Sequence, residues 1–183
     1  MSFPAFLDTC TIFGAALTDL FLELADQGAF RPLWSKDVLG ELERVVVERR
    51  RADPAAIASR IRTMREVFPD AEVKGYEDLI DQMTCDTGDR HVVAAAVRAN
   101  AEVIVTFNLK HFPRESLEPY DLEAVHPDEF LLDQLDLYPR TTLTAVEAIA
   151  AAYESPPMTT EEFLGLIGKS GAPKFAARVL DEL

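Results

Sequence analysis

The sequence has 183 residues, enough for one domain with a small appendage, and 48% of them are hydrophobic, which excludes a disordered chain. No apolar run approaches the roughly 20 residues of a membrane span, so we expect no membrane segment. The N-terminus lacks a basic leader and contains Asp8, so we expect no signal peptide. With 32 acidic against 18 basic residues, the net charge of −14 is opposite to that of a typical nucleic-acid-binding protein.

This acidic excess has two explanations. It is either solvated surface, or partly a carboxylate site that divalent cations neutralise while local arginines hold phosphates. The candidate arginines are Arg49, Arg50, Arg51, Arg60, Arg62 and Arg65. Net charge alone does not choose between the two.

The first part of the chain alternates short apolar runs with amphipathic stretches. Strands are predicted at residues 3–8, 30–34 and 71–76, the second weakened by Pro32. Helices are predicted at residues 16–28, after Ser35 as N-cap, and after Asp53.

The pattern continues beyond residue 85. A polar turn at 86–89 leads into the helix VVAAAV, the strongest strand is predicted at 101–107, and the last at 122–125. This alternation predicts an α/β fold with a central parallel sheet and helices on both faces. Cys10 and Cys85 form no CxxC pair, which favours a reduced, cytoplasmic protein, and the three histidines are too scattered to indicate a zinc site.

From about residue 127 the pattern becomes helical without strands. We predict three helices, starting near residues 127, 142 and 159, and a division into a domain at 1–125 and a helical C-terminal extension at 126–183. Residues 125–183 contain 10 acidic and 4 basic side chains, so the extension is not a basic arm. Packing on the core and partner binding both remain open as its role.

Five polar residues stand where a parallel sheet would present a ligand site, which is beyond the carboxyl ends of its strands. They are Asp8, Glu41, Asp86, Asp89 and Asn108. Clustered carboxylates require cations or protons between them, and oxygen ligands without sulfur suit Mg²⁺ or Mn²⁺. Such ions support phosphodiester hydrolysis.

Each residue also has an ordinary explanation. Asp8 could cap the following helix, and Glu41 could pair with Arg44 on a solvated helix face. The turn aspartates could be an N-cap pair, and Asn108 a turn residue. Their joint arrangement favours a site.

Four segments in this order resemble the PIN domain, the nuclease fold of VapC toxins, and in particular bacterial PIN proteins with a helical C-terminal extension. The segments are LDTC (7–10), SKDVLGELERVV (35–46), CDTGDRHVVAAAV (85–97) and VIVTFNLKHFP (103–113). The resemblance covers about residues 3–125 and implies a three-layer α/β/α fold.

The resemblance also implies a set of catalytic metal ligands. It makes Asp8, Glu41 and Asp89 the main ligands, with Asp86 in support and Asn108 at the family's fourth acidic position. Thr9 and Thr106 would be hydroxyls that support these ligands, and His111 stands where relatives often carry an acidic residue.

For function, the resemblance implies a Mg²⁺- or Mn²⁺-dependent endoribonuclease acting on single-stranded or loop RNA. A transfer RNA is the family's expected substrate. It further implies a toxin with a cognate antitoxin, and a homodimer. Two alternatives remain: a non-catalytic PIN-like interaction module, favoured by Asn108 and His111, and a 5′-nuclease-like DNA enzyme, disfavoured because no long basic duplex-binding segment is present.

Overall fold

The computed structural model describes residues 3–49 and 53–183 and is built on a five-stranded sheet in the order β3-β2-β1-β4-β5. Each strand runs parallel to its neighbours, and Phe6 is aligned with Leu33 on one side and Ile104 on the other. The strands are β1 (Pro4–Leu7), β2 (Arg31–Ser35), β3 (Glu72–Val73), β4 (Val103–Val105) and β5 (Glu123–Val125). The predicted α/β fold with a parallel sheet is therefore confirmed.

Helices cover both faces of this sheet. Within the described residues they are α1 (Ala15–Asp26), α2 (Lys36–Glu48), α3 (Pro54–Val67), α4 (Arg90–Arg98), α5 (Arg114–Leu117), α6 (Pro127–Leu137), α7 (Pro139–Ala152), α8 (Thr160–Lys169) and α9 (Pro173–Glu182). The right-handed rule for parallel crossovers puts α1 to α3 on one face and α4 on the other, because the chain moves along the sheet one way from β1 to β3 and the opposite way from β3 to β4. The connections that leave the neighbouring strands β1 and β4 therefore run in opposite directions. No helix in these ranges is long and apolar enough to cross a bilayer.

Proline is accommodated within β2. The N–H of Arg31 donates to Phe3 O on the β1 side, whereas the N–H of Trp34 donates to Ala71 O on the β3 side. Pro32 faces the β3 side two residues before Trp34, at a level that β3 does not reach. The missing N–H therefore leaves no gap in the sheet.

Every strand except β2 is shorter than the sequence predicts, the third and the fourth most of all. The third was expected at residues 71–76, but β3 pairs only with the end of β2. The fourth was expected at residues 101–107, but Ala101 N–H donates to Ala96 O at the end of α4, and Thr106 N–H makes the last bond to β5, at Val125 O. Strong β propensity thus extends beyond the paired residues.

The C-terminal helices pack against the α/β core through aromatic side chains. The ring of Phe130 on α6 lies 5.9 Å from Phe3, 5.4 Å from Phe21 and 5.0 Å from Phe30, measured between centroids. All three partners belong to the first 30 residues, and α1 also contacts α7 and α8. The extension is thus part of the same packed structure, in keeping with a packing role. The boundary at 125/126 stays a proposal.

The extension contains a fourth helix, α9, beyond the three that the sequence analysis predicts. Its N-cap, Ala172, has no side chain that can accept a hydrogen bond. Instead, the buried carboxylate of Asp128 on α6 accepts from Phe175 N–H at 2.8 Å and from Lys174 N–H at 3.1 Å. A residue on another helix thus caps α9.

We expect Asp128→Ala to lower the free energy of unfolding by about 2 kcal/mol, because two N–H groups near a helix N-terminus lose a charged acceptor. Chemical denaturation measures the change. Asp133→Ala on the same helix is the matched control: Asp133 is exposed and lies near the negative charges of Glu129, Asp136 and Glu123, so its removal should leave stability unchanged or slightly raised. Equal stability of the two variants would contradict the capping role.

Candidate active site

Asp8 follows β1 directly and is buried at the carboxyl edge of the sheet. Its Oδ1 accepts from Thr9 N–H at 2.7 Å, and its Oδ2 accepts from the Thr106 hydroxyl at 2.7 Å and lies 3.1 Å from Cys10 Sγ. Asp8 does not cap α1, whose N-cap is Gly14. The carboxylate is thus held by the loop after β1 and by the residue after β4.

Glu41 reaches the same region from α2. Ser35 caps this helix by accepting from Val38 N–H, and Glu41 projects from it toward the loop after β1. Its Oε2 accepts from the Thr9 hydroxyl at 2.8 Å, so Thr9 bridges Asp8 and Glu41. The pairing with Arg44 that the helix spacing allowed is not among the ion pairs of the described residues.

His91 on α4 is the second partner of Glu41. Its Nε2 lies 3.2 Å from Glu41 Oε1, although the ring N–H is not aligned for a hydrogen bond. This contact, together with the Thr9 hydroxyl and against the effect of burial, holds the pKa of Glu41 below its usual value. Burial lowers the pKa of His91, but the charges of Glu41, Asp37 and Asp8 outweigh burial, and the net shift is upward.

Asp89 and His111 form a second pair. Asp89 Oδ2 lies 2.8 Å from His111 Nδ1, and Asp86 N–H donates to His111 O, so the turn before α4 is tied to the loop after β4. Burial raises the pKa of Asp89, and the charges of Asp8 and Asp86 raise it further against the effect of His111. The carboxylates of Asp8 and Asp89 thus interact across the site.

Asn108 enters the site through its backbone. Its N–H donates to the Thr106 hydroxyl at 3.0 Å, and the same hydroxyl donates to Asp8. Within the described residues, the acidic and histidine ligand atoms that converge within 4.8 Å of one another belong to Asp86, Asp89 and His111. His111 therefore lies beside the two carboxylates of the turn before α4.

The structure thus places the predicted residues in two groups along one edge of the sheet. Asp8 and Glu41 are joined through Thr9, and Asp89 lies beside Asp86 at the turn before α4. The assignment of these residues as ligands stays a prediction. The sequence analysis missed Cys10 and His91, and it named His111 only as a departure from the family's acidic residue. Each lies within three residues of a predicted ligand in the sequence, which is the signal that could have found them.

The arginines do not form one patch. Arg50 and Arg51 lie outside the described residues. The guanidinium of Arg49 lies 5.7 Å from the centre of the Phe13 ring, and Arg65 pairs with Glu72. Arg60 donates to the carbonyls of Gly14 and Ala15, and Arg62 to the hydroxyl of Ser59.

Residues 4–110 match the family model described as "PIN domain". The chain belongs to the PIN domain family. Residues 127–181 match the model described as "VapC50 C-terminal domain", so the PIN domain is followed by the kind of helical extension that the resemblance implied. The expected three-layer fold with this extension is thereby confirmed.

One curated relative adds to this assignment. The chain is 53% identical over 104 residues to "Putative ribonuclease VapC50" from Mycobacterium tuberculosis (strain ATCC 25618 / H37Rv). The aligned segment covers 57% of this PIN protein and 61% of that relative's length. No solved structure matches the chain significantly. The resemblance to VapC-type PIN proteins is confirmed.

The environment of Cys10 leads to a testable prediction. Burial and the adjacent charge of Asp8 raise the pKa of this thiol to about 12, so only about one molecule in 10⁴ carries the thiolate near pH 8. Without added metal, iodoacetamide should therefore alkylate Cys10 far more slowly than it alkylates glutathione, as measured by mass spectrometry of the peptides. Asp8→Asn should speed the reaction, and unfolding in urea should expose both cysteines. Labelling of folded wild-type Cys10 as fast as glutathione would refute this environment.

Proposed function

We propose that this protein is a Mg²⁺- or Mn²⁺-dependent endoribonuclease that hydrolyses phosphodiester bonds of single-stranded or loop RNA. The observation that carries the proposal is that carboxylates from three separate parts of the chain lie along the carboxyl edge of the sheet, with Asp8 and Glu41 joined through Thr9 and the charge of Asp8 acting on Asp89. The name of the relative, which calls that protein a ribonuclease, supports the same activity.

The donor set fits a hard divalent cation. Asp8, Glu41 and Asp89 would hold the ion, with Asp86 and Asn108 available as further oxygen ligands. Burial is the main cause of the raised pKa of Asp89, and the negative charges of Asp8 and Asp86 add to it, a condition that a bound cation relieves. When bound, the ion would supply Lewis-acid stabilisation of the phosphodiester and a lowered pKa of the attacking water.

The neighbouring side chains hold the carboxylates in place. Asp8 accepts from Thr9 N–H and from the Thr106 hydroxyl, and Glu41 accepts from the Thr9 hydroxyl, so both carboxylates have fixed orientations. His111 fixes one oxygen of Asp89. These contacts reduce the reorganisation that the site needs when substrate binds.

The biological role belongs to the same proposal. We propose a cytoplasmic bacterial toxin of the VapBC type that acts on RNA such as transfer RNA as a homodimer and is inhibited by a cognate antitoxin. Support comes from the match to the VapC50 C-terminal domain, from the VapC50 relative, and from the net charge of −14, which suits a basic partner segment. A short neighbouring gene that encodes a DNA-binding N-terminus would support the antitoxin.

A non-catalytic interaction module is the second candidate. It is favoured by the amide of Asn108 at the fourth acidic position and by His111, which occupies one oxygen of Asp89. A 5′-nuclease-like DNA enzyme has no such supporting observation.

We expect Asp8→Asn, Glu41→Gln and Asp89→Asn each to lower RNA cleavage by more than about 100-fold, because loss of an outer-shell partner alone costs about 10- to 100-fold. Thr106→Val, which removes only the donor to Asp8, should fall within that smaller range. Cleavage of a labelled RNA, followed by gel electrophoresis, measures the rates. Asp133→Asn is the surface control. Undiminished cleavage by the Asp8 or Glu41 variant would overturn the site assignment.

Metal dependence separates the two candidate functions. The enzyme should bind Mg²⁺ or Mn²⁺ at millimolar concentration in calorimetry, and EDTA should abolish its cleavage of RNA reversibly. Absence of binding and of cleavage would favour the interaction module. Cleavage of flap DNA in preference to RNA would instead identify a DNA enzyme.

A further inference from the structure

A cleft of about 580 Å³ lies beside the candidate active site, between the PIN core and the C-terminal extension. The core contributes the start of α1 and parts of α2 and α3, and the extension contributes the end of α8. The residues on which the argument depends are Cys10, Phe13, Arg60, Phe107, Lys169 and Ser170.

The charge of this cleft is opposite to that of the chain. Among the described residues, its lining contains two cations, Arg60 and Lys169, and no carboxylate, although the chain carries 32 acidic residues. Arg60 is already directed to the carbonyls of Gly14 and Ala15, and the nearby carboxylate of Asp19 offsets part of its charge. Lys169 is exposed and, within the described ranges, has no ion-pair partner, so its ammonium is available to a phosphate.

Two half-buried aromatic rings also line the cleft: Phe13, which the guanidinium of Arg49 approaches to 5.7 Å, and Phe107, whose ring meets that of His126 edge-on at 5.0 Å between centroids. The Phe107 ring is closely confined, because a Cβ built on Gly171 would lie 2.4 Å from its Cε1 atom. Gly171 has a φ of +110°, which also favours glycine. The extension thus holds one ring in position. Aromatic rings beside cations are typical of surfaces that bind unpaired nucleotides.

The cleft is continuous with the carboxylate site. Cys10 lines the cleft, and its Sγ lies 3.1 Å from Asp8 Oδ2. Phe107 N–H donates to the same sulfur at 3.3 Å, and Phe107 stands between Thr106 and Asn108 in the sequence. A strand whose phosphate lies at Asp8 would therefore have a neighbouring nucleotide at the cleft.

We propose that this cleft, shared by the PIN core and the C-terminal extension, binds one unpaired nucleotide next to the scissile phosphate of the RNA substrate. The inference rests on the proposed ribonuclease function. Phe13 and Phe107 contact the base, and Lys169 contacts a phosphate. An acidic peptide would satisfy the cations but would leave the aromatic rings without a matching partner.

The test uses the full chain with Asp8→Asn, so that a short unstructured RNA with a fluorescent label is bound but not cleaved. Fluorescence anisotropy gives the affinity as a function of salt. We expect Lys169→Ala to reduce the slope of log K against log salt by roughly 0.7, the value for one phosphate contact on a single strand. Phe13→Leu should weaken binding by about fivefold or more through loss of stacking.

Arg140→Ala is the matched control, because Arg140 is an exposed cation of the same extension that does not line the cleft. Thermal unfolding verifies that each variant is folded. In an otherwise wild-type chain, Lys169→Ala should raise KM for RNA cleavage and leave kcat unchanged.

The subsite would be overturned if Lys169→Ala and Phe13→Leu bound RNA as tightly as Arg140→Ala does. That result would leave the ribonuclease proposal intact. The same two variants could instead lose binding to poly-L-glutamate and keep their binding to RNA. That result would show that the cleft receives an acidic peptide, and it would also overturn the nucleotide subsite. Absence of both RNA binding and wild-type cleavage would overturn the subsite and the proposed function together.

Discussion

The pairing of β1 with β4 is the constraint on which the candidate site depends. Leu7 is aligned with Val105, and Asp8 N–H donates to Val105 O, so both strands end at the same level. The hydroxyl of Thr106 then reaches Asp8, a residue 98 positions earlier in the chain. The connections that leave these two neighbouring strands run in opposite directions along the sheet. Their carboxyl ends therefore open into a crevice, which is where parallel sheets bind ligands.

The local electrostatics of the site follow from this convergence. Asp8 is buried close enough to Asp89 to raise its pKa, and Glu41 keeps a low pKa through His91 and Thr9. The site therefore concentrates negative charge and satisfies it only in part with hydroxyls and histidines. The net charge of −14 is then compatible with a phosphate-binding role, provided that cations and a few local basic residues offset it.

The C-terminal extension is connected to the site as well as to the core. Phe130 packs among aromatic rings of the first 30 residues, and Asp128 caps α9. Just before α9, Gly171 lies against Phe107, the residue between Thr106 and Asn108. The interface between the extension and the core therefore contributes both to packing and to the surroundings of the site. The backbone of Gly171 can approach the Phe107 ring only because glycine carries no side chain.

The sequence by itself determined the features that depend on neighbouring residues. These include the apolar strand before Asp8, the caps at Ser35 and Asp53, and the capping box of Thr159 and Glu162. It also showed that Asp8 and Asn108 follow strands, whereas the choice of Glu41 and Asp89 as main ligands depended on the resemblance to the PIN family.

Only the tertiary structure decided which side chains meet. His91 lies against Glu41, His111 against Asp89, and Asp128 at the start of α9. Local propensity contains no information about such pairs, because strand order and helix packing bring them together across tens of residues. The same reason limited the strand ends. For the fourth strand β propensity predicted residues 101–107, whereas Ala101 is bonded to the end of α4 and the last bond to β5 is made by Thr106.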